Sequence, residues 1–222
     1  MTRTRIRDLI RKKLMETTAS FWTNAELDNW INDAGHDVAY KTKCIQADGK
    51  FASVESTSEY TLTDYFSGLL SVTRAYFYQD GSSWEELDPT SIDKLNQLHT
   101  GWKNADDGVP SEYYFDYERN KTLGLYVPPN SDNAGSEYIE VYYGNDYTDI
   151  SDDDDSPSYI PISLQQAMVE YVVATGLETR GYRDKANDAW KKYIGRIKEY
   201  LILKDGTLHD DDDIIMKSIY NL

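Results

Sequence analysis

The sequence predicts an α+β protein with a four-helix core (two N-terminal and two C-terminal helices), a central β-rich insertion and an extended C-terminal tail. The first reason is that apolar residues recur at helical spacing near both ends of the chain. The second is that the stretch between them combines short runs of alternating polarity with 12 of the 19 tyrosines. We therefore divide the 222 residues into N-terminal helices (1–50), a β-rich insertion (51–150), a closing helix pair (151–204) and a tail (205–222).

The first predicted helix is basic, and the second begins at a recognisable cap. Residues 1–16 contain six basic and two acidic side chains, a local charge of +4 in an acidic protein. The apolar positions of the first helix are Ile6, Leu9, Ile10 and Leu14. Thr23 and Glu26 have the spacing of a capping box, in which each side chain bonds a free backbone N–H of the other. The second helix is therefore predicted to begin after Thr23.

The insertion is predicted to consist of five strands and one short helix. The strands are predicted at residues 52–61, 70–78, 113–117, 122–127 and 138–143, between clusters of Gly, Asn and Asp. Residues 89–98 have apolar positions at helical spacing, and Pro89 is placed where the first residue of a helix tolerates proline. A short helix is therefore predicted to interrupt the strands.

Helical spacing returns after Pro161. One apolar stripe comprises Leu164, Ala167, Met168, Tyr171, Val172 and Thr175, and a second comprises Tyr182, Ala186, Ala189, Tyr193, Ile197 and Leu201. Gly176 and Gly181 bracket the break between the stripes. So short a connection predicts that the two helices pack as an antiparallel hairpin.

Charge and composition exclude several classes of protein. The chain has 39 acidic and 23 basic residues, a net charge of −16, which argues against tight binding of nucleic acid through ion pairs but not against a surface that DNA slides past. No apolar run approaches the roughly 20 residues of a membrane span, and the charged N-terminus does not resemble a signal peptide. We therefore expect a soluble protein with no membrane partner.

No cofactor or metal is predicted. Cys44 is the lone cysteine, so it forms no internal disulfide and supplies too few thiols for a zinc site. The three histidines, His36, His99 and His209, are far apart in the sequence. The acidic run at Asp152, Asp153, Asp154 and Asp155 lacks the alternate spacing, the glycine and the closing glutamate of an EF-hand, so we interpret it as a solvated loop.

The sequence does not predict an enzyme. It has no nucleophile elbow, no phosphate-binding glycine loop and no recognisable Cys–His pair. Two alternatives remain open in the tyrosine-rich region: a glycosidase cleft with paired carboxylates, and a sugar-binding platform of surface tyrosines. We prefer a packing role, in which pairs such as Tyr76 and Tyr78, or Tyr113 and Phe115, share one sheet face and pack over the helices.

The C-terminal segment is predicted to be a docking peptide. After a turn and four aspartates (residues 210–213), it ends in apolar residues that are too few to bury one another, because ordering each residue costs about 1 to 2 kcal/mol of backbone entropy. These residues are Ile214, Ile215, Met216, Ile219, Tyr220 and Leu222. The aspartates are interpreted as steering or solubilising charge.

The order of these motifs resembles the head-to-tail adaptor (connector, head-completion) proteins of tailed bacteriophages, especially those of short-tailed phages. The resemblance covers most of the chain and begins with IRDLIRKKL and FWTNAELDNWINDAGHDV. It continues through EYTLTDYFSGLLSVTRAYF, GVPSEYYFDYERNKTLGLYVPP and YIEVYYG. The last segment is DDDDSPSYIPISLQQAMVEYVVATGLETRGYRDKANDAWKKYIGRI, which is similar to the closing helix pair of that family.

The resemblance implies a structural role at the head-to-tail junction of a virion. It implies a homo-oligomeric ring of twelve copies below the portal protein, with a downstream nozzle or tail-tube protein on the far side. DNA would pass through the ring without specific binding, and the chain would be made in the host bacterial cytoplasm. A carbohydrate-binding or hydrolytic module of a phage particle is the alternative.

The resemblance also assigns candidate residues. It implies that residues 207–222 insert into the portal, with the six apolar tail residues as anchors. A ring needs a heterologous contact, in which one patch meets a different patch on the neighbouring subunit. We expect the basic residues Arg7, Arg11, Lys12 and Lys13 of the first helix to face acidic loops such as residues 152–155 of the next subunit.

Overall fold

The computed structural model of the protein describes residues 1–16, 21–79 and 83–205. Within these ranges the protein is mixed α+β, with five α-helices and two four-stranded sheets, which confirms the predicted class. The chain divides into two compact units. The described residues of Met1–Cys44 and Thr148–Leu222 form the helical unit, and those of Ile45–Tyr147 form the sandwich unit.

The secondary-structure elements have the following bounds. The helices are α1 (Arg3–Lys13), α2 (Asn24–Thr42), α3 (Ile92–Leu98), α4 (Ile162–Thr179) and α5 (Arg183–Asp205). The strands are β1 (Gln46–Ser53), β2 (Glu59–Thr61), β3 (Leu69–Gln79), β4 (Ser83–Glu86), β5 (Asp88–Pro89), β6 (Glu112–Asp116), β7 (Thr122–Tyr126) and β8 (Gly135–Asn145).

The start of α2 is the capping box that the sequence predicts. The Thr23 backbone N–H donates to Glu26 Oε2 at 2.8 Å, and the Glu26 backbone N–H donates to Thr23 Oγ1 at 3.2 Å. These bonds satisfy two backbone donors that a helix terminus otherwise leaves without a partner.

Helix α4 lies at the centre of the helical unit, where it packs against α1, α2 and α5. Since α4 contacts three other helices, most of its residues are buried, and apolar side chains occur around most of its circumference. Fully or almost fully buried side chains come from all four helices: Ile6, Ile10, Leu27, Ile31, Leu164, Met168, Val172, Tyr193 and Ile197.

Helix α4 continues past Gly176, one of the two glycines predicted to bracket the break between α4 and α5, and ends at Thr179. Gly176 lies inside α4, where a Cβ atom would come 3.4 Å from a methyl group of Leu14. It is therefore a point of close helix packing rather than a helix end. The turn itself uses Gly181, whose φ of +79° is the left-handed conformation that glycine adopts without strain.

The sandwich unit consists of two sheets with a shared apolar core. One sheet has the strand order β1-β8-β3-β4 and is antiparallel throughout, and the other has the order β2-β7-β6-β5 with a parallel β5–β6 pair. Both sheets contribute core residues, including Phe51, Phe77, Ile139 and Val141 from the first and Tyr60, Tyr113, Leu123 and Leu125 from the second. Successive side chains of a strand point to opposite faces of its sheet, so the residues between these core positions lie on the outer face of each sheet.

Several predicted boundaries in the insertion are wrong. The single strand predicted at residues 52–61 is two strands, β1 and β2, which belong to different sheets and are separated by a turn with Ser56 at φ 57°. Pro89 does not begin the short helix, since it lies in β5 and α3 begins at Ile92 after the N-cap Ser91. Proline fits there because the neighbouring Asp88 and Thr90 N–H groups make the bonds to Ser111 and Tyr113.

Candidate functional site

The basic helix α1 and the acidic loop 152–155 meet within one chain. Arg3 Nη2 donates to Asp153 Oδ1 at 3.1 Å, and Arg7 Nη2 donates to the same oxygen. Asp28 of α2 supplies a second carboxylate, with its Oδ1 3.3 Å from Arg7 Nε. Two arginines from successive turns of α1 therefore lie between two carboxylates.

Backbone bonds fix the same loop to the beginning of α1. The Arg3 N–H donates to the Asp155 carbonyl at 2.7 Å, and the Thr4 N–H donates to the Asp153 carbonyl at 3.2 Å. The first N–H groups of a helix have no partner inside the helix, so the loop carbonyls satisfy them. The loop is thus held by α1 through both backbone and side-chain bonds.

The charge of Asp153 is stabilised by this arrangement. Its hydrogen bond from Arg3, followed by the charge of Arg7, lowers the pKa of the Asp153 carboxyl below its ordinary value. Asp153 itself remains largely exposed, with 64% of its side-chain surface accessible, so solvent screens the interaction.

Arg11 and Glu16 form a buried ion pair near the end of α1. Arg11 Nη1 lies 2.8 Å from Glu16 Oε2, and Arg11 Nη2 donates to the Trp22 carbonyl at 3.0 Å and to Asn24 Oδ1 at 2.7 Å. Glu16 Oε1 accepts from the Phe21 N–H at 2.7 Å. Both charges are nearly inaccessible to solvent, so the hydrogen bonds replace the water that burial removes.

Of the other predicted basic residues, Lys13 is also bound within the chain and Lys12 is exposed. Lys13 Nζ donates to Glu170 Oε1 of α4, a carboxylate that is 4% exposed. Among the residues that the structure describes, Lys12 has no ion-pair partner. The assignment of Arg7, Arg11, Lys12 and Lys13 to a subunit interface stays a prediction, and three of these four have carboxylate partners in their own chain.

The four aspartates of the loop have different roles. Asp153 binds the arginines, and Asp155 Oδ2 accepts from the Ser151 and Asp152 N–H groups at 3.1 and 2.9 Å. Asp152 and Asp154 are exposed and have no salt bridge to any described residue. These two carboxylates remain available to another molecule.

Sequence reasoning missed the intramolecular partners of the predicted residues. Asp28, Glu16 and Glu170 are acids among 39, and nothing in their local sequence distinguishes them. Gln165 was also missed, although its side chain accepts from the N-terminal ammonium of Met1 at 2.7 Å and donates to the Ile160 carbonyl at 2.8 Å. Glu170 and Gln165 meet residues more than a hundred positions away, and Asp28 of α2 meets Arg7 of α1, so local patterns carry no signal for these contacts.

The predicted portal-docking residues Ile214, Ile215, Met216, Ile219, Tyr220 and Leu222 lie outside the described residues, as do the aspartates 210–213. Their assignment stays a prediction.

The tyrosines of the sandwich unit include a group in its core and a group on an outer face of the first sheet. Tyr113 and Phe115 share the face that packs on the other sheet, rather than on helices. Tyr76 and Tyr78 share one face of β3, as predicted, and this face lies opposite the buried Ala75 and Phe77, so the two tyrosines are outside the core of the sandwich unit.

This outer face carries an aromatic row, which we call the aromatic face. Its rings contact one another edge-on or tilted, with centroid distances between 5.1 and 5.7 Å. It consists of Tyr76, Tyr78, Trp84, Tyr138 and Tyr142. Lys50 Nζ lies 4.6 Å from the centroid of the Trp84 ring.

A small cavity of the sandwich unit, about 290 Å³, has one carboxylate in its lining. Glu59 Oε1 in this cavity accepts from Tyr114 OH and from Arg119 Nη1, each at 2.8 Å. Burial, reinforced by the bond to Glu59, raises the pKa of Tyr114. A glycosidase needs two carboxylates across the sugar, and the described lining of this cavity offers Glu59 alone.

The described residues offer neither a metal site nor a membrane-spanning helix. They contain no group of three or more His, Cys, Asp and Glu side chains arranged to hold a metal ion. None of the helices in these ranges has both the length and the apolar character of a membrane span.

No protein-family model matches the chain, and no curated protein matches it. Among solved structures, it is similar to a chain of the "Neck of empty GTA particle computed with C6 symmetry". The two are 14% identical, the TM-score is 0.27, and the alignment covers 78% of this chain and 76% of that one. A similarity this weak is evidence for neither a shared fold nor a shared function.

Proposed function

We propose that this chain is a structural head-to-tail adaptor of a tailed bacteriophage. It forms a ring of twelve identical subunits beneath the portal, links the capsid vertex to the tail and lines the channel through which DNA leaves. One observation carries the proposal: the segments that resemble the adaptor family at the two ends of the chain fold together. Helices α1 and α2 pack against α4 across more than a hundred intervening residues, and α5 packs on α4 and α2.

The four helices of the helical unit are the assembly core in this proposal. Their ion pairs support the role, because Arg7–Asp153 and Lys13–Glu170 tie the two ends of the chain to each other. A subunit that must keep its shape under the pressure of packaged DNA benefits from such ties between distant segments.

The distribution of charge supports a second part of the proposal. The sandwich unit contains 18 acidic and 6 basic residues, so it carries −12 of the total charge of −16. Residues 1–44 and 148–205 contain 17 acidic and 16 basic residues and are almost neutral. An acidic surface repels phosphates, so DNA passes it without adhering. The same unit is the proposed contact for the downstream nozzle or tail-tube protein.

The C-terminal tail completes the proposal, with residues 207–222 as the segment that inserts into the portal. Each tail contributes six apolar anchors at most, so a single contact is weak. Twelve copies convert weak contacts into a stable attachment, because each engaged tail raises the effective concentration of the next one.

Sedimentation of the full chain with candidate portal proteins tests this proposal. We expect the full chain to co-sediment with its portal, and a variant that ends at Gly206 to remain free while keeping the helical content of the full chain by circular dichroism. Equal co-sedimentation of the two forms would refute the docking role of the tail. No binding of the full chain to any portal would refute the adaptor function.

The aromatic face favours a second candidate function, a carbohydrate-binding module of a phage particle. Trp84 and Tyr142 are 36% and 40% exposed, and aromatic rings with accessible surface stack on sugars. Titration of bacterial surface polysaccharides into the protein, followed by tryptophan fluorescence, tests this function. Saturable binding that is lost in Trp84→Ala would favour the module, whereas no response in the wild type would exclude it for the glycans used.

A further inference from the structure

Helix α5 contains an exposed glycine that the fold of a single chain does not require. Gly195 lies in the middle of a 23-residue helix, and a Cβ atom built there meets no atom within 4 Å. Glycine in a helix interior is about 1 kcal/mol less favourable than alanine. In α4, by contrast, Gly176 has Leu14 against it. Gly195 is therefore a place where another molecule can approach the α5 backbone closely.

The surface around Gly195 is basic and partly apolar. Residues 183–203 contain six basic and three acidic side chains. Lys191 has a long contact of 3.9 Å to Asp188, and it is the one base of this segment with an ion-pair partner among the described residues. The bases are Arg183, Lys185, Lys191, Lys192, Arg196 and Lys198. Leu203, two turns beyond Gly195, is 76% exposed.

The loop 152–155 has the complementary character. Asp153 and the loop backbone are bound to α1, and this leaves Asp152 and Asp154 on the outside of a fixed loop. Tyr159 and Ile162 follow closely in the chain and are 77% and 68% exposed. An acidic, partly apolar surface thus belongs to the same unit as a basic, partly apolar one.

These two surfaces lie on different sides of the helical unit. Helices α1 and α5 each pack against both α2 and α4. On α4, Glu170 binds Lys13 of α1, whereas the next residue, Tyr171, contacts Trp190 and Tyr193 of α5, so α1 and α5 lie against different faces of α4. The loop is tied to α1, and the Gly195 surface lies on the outer side of α5.

We propose that the outer face of α5 around Gly195 receives the loop 152–155 of a second copy of this chain. Asp152 and Asp154 of one copy pair with bases such as Lys192 and Arg196 of the next, and the absent side chain of Gly195 admits the loop. The contact joins two different patches, so it is heterologous and repeats around a ring. This inference rests on the proposed ring, and it replaces α1 by α5 as the basic side of the interface.

A charge exchange tests the contact. One double variant carries Asp152→Lys with Asp154→Lys, the other carries Lys192→Glu with Arg196→Glu, and a third variant combines all four changes. Ring formation on the portal protein is measured by electron microscopy. Self-assembly without the portal protein is measured by sedimentation. Each double variant should raise the concentration needed for assembly at least about tenfold, because like charges then face each other, and the combined variant should restore assembly.

A bulky side chain at Gly195 gives an independent test. Gly195→Trp should fold normally, because Gly195 is exposed and a Cβ atom there meets no other atom within 4 Å, but it should fail to assemble. Asn29→Trp, at an exposed position of α2, is the matched control and should assemble like the wild type.

The outcomes separate the contact from the adaptor function. Wild-type rings on the portal, together with no loss in the double variants or no recovery in the combined variant, would overturn the contact and leave the adaptor function intact. Normal assembly of Gly195→Trp would overturn the contact as well. The absence of any wild-type multimer, with or without portal, would overturn both.

Discussion

Asp153 shows how a single side chain can connect segments from the two ends of a chain. Its side chain binds Arg3 and Arg7, about 150 residues away, and the backbone carbonyls of Asp153 and Asp155 accept from the first N–H groups of α1. The acidic loop is therefore part of the architecture of the helical unit, and only some of its charge remains for partners.

The lowered pKa of Asp153 predicts a pH dependence of stability. A carboxylate whose pKa is lower in the folded than in the unfolded state stabilises the fold above the unfolded pKa of about 4, and this contribution is lost as the pH falls through the folded pKa. Asp153→Asn should therefore lower the melting temperature at pH 7, and the difference from wild type should shrink as the pH falls below the unfolded pKa and through the lowered folded pKa. Asp154→Asn is the control and should match wild type at every pH in thermal melts followed by circular dichroism.

The buried pair Arg11–Glu16 predicts a large loss of stability from one substitution. Arg11→Met removes the guanidinium that lies 2.8 Å from the buried Glu16 carboxylate, so the free energy of unfolding should fall by about 3 to 5 kcal/mol. The adjacent exposed Lys12→Met should change it by about 0.5 kcal/mol at most. Urea unfolding measures both values. A loss below about 1 kcal/mol in Arg11→Met would mean that water or Arg180, 3.5 Å from Glu16, compensates the charge.

At this scale the sequence identifies charged residues but not their partners. The basic character of α1 and the acidic run at 152–155 are visible in composition, and the sequence predicts that they attract each other. Whether they meet within one chain or between two depends on how α1 packs on α4, and no local pattern encodes that packing.

The sequence predicts helices and strands well when the residues that determine them are close together in the chain. It predicts them poorly when they depend on pairing with a distant strand. Helix α2 begins where the Thr23–Glu26 capping box predicts, since all of its bonds lie within four residues. Strand β4 is exposed at every position, so it shows no alternation, and it exists because it pairs with β3. The split of residues 52–61 into β1 and β2 likewise depends on two different partner strands, β8 and β7.

Gly124 of β7 lies beneath the ring of a tyrosine on the neighbouring strand, so replacing this glycine should lower the free energy of unfolding. It pairs with Tyr114 of β6, and a Cβ atom at Gly124 would lie 2.0 Å from the tyrosine ring. Gly124→Ala should displace the ring, break its bond to Glu59 and lower the free energy of unfolding by about 1 to 3 kcal/mol. Urea unfolding measures the loss. Gly195→Ala is the matched control, and it should raise stability by about 1 kcal/mol because open space surrounds that position.

At the scale of the whole molecule, the sandwich unit begins and ends at one place. Strands β1 and β8 are paired neighbours, and the Asn145 N–H donates to the Ile45 carbonyl at 2.8 Å. The chain therefore enters and leaves this unit at adjacent points, as insertions between compact units do.

This arrangement predicts that the units fold separately. Residues 45–147 should form a folded β protein, and the remaining chain, with Cys44 joined to Thr148 by a short Gly–Ser linker, should keep its helical circular dichroism. The isolated sandwich unit carries a charge of −12, so raising the salt concentration should raise its melting temperature by screening self-repulsion. An unfolded fragment on either side would show that the units depend on each other.

The most direct test of the adaptor function is a cryo-electron microscopy reconstruction of the portal saturated with this protein. We predict a closed ring of twelve copies on the tail-facing side of the portal, with the helical units in lateral contact and C-terminal segments entering the portal. A portal without added density, or one that carries isolated copies with no contact between them, would contradict the adaptor function.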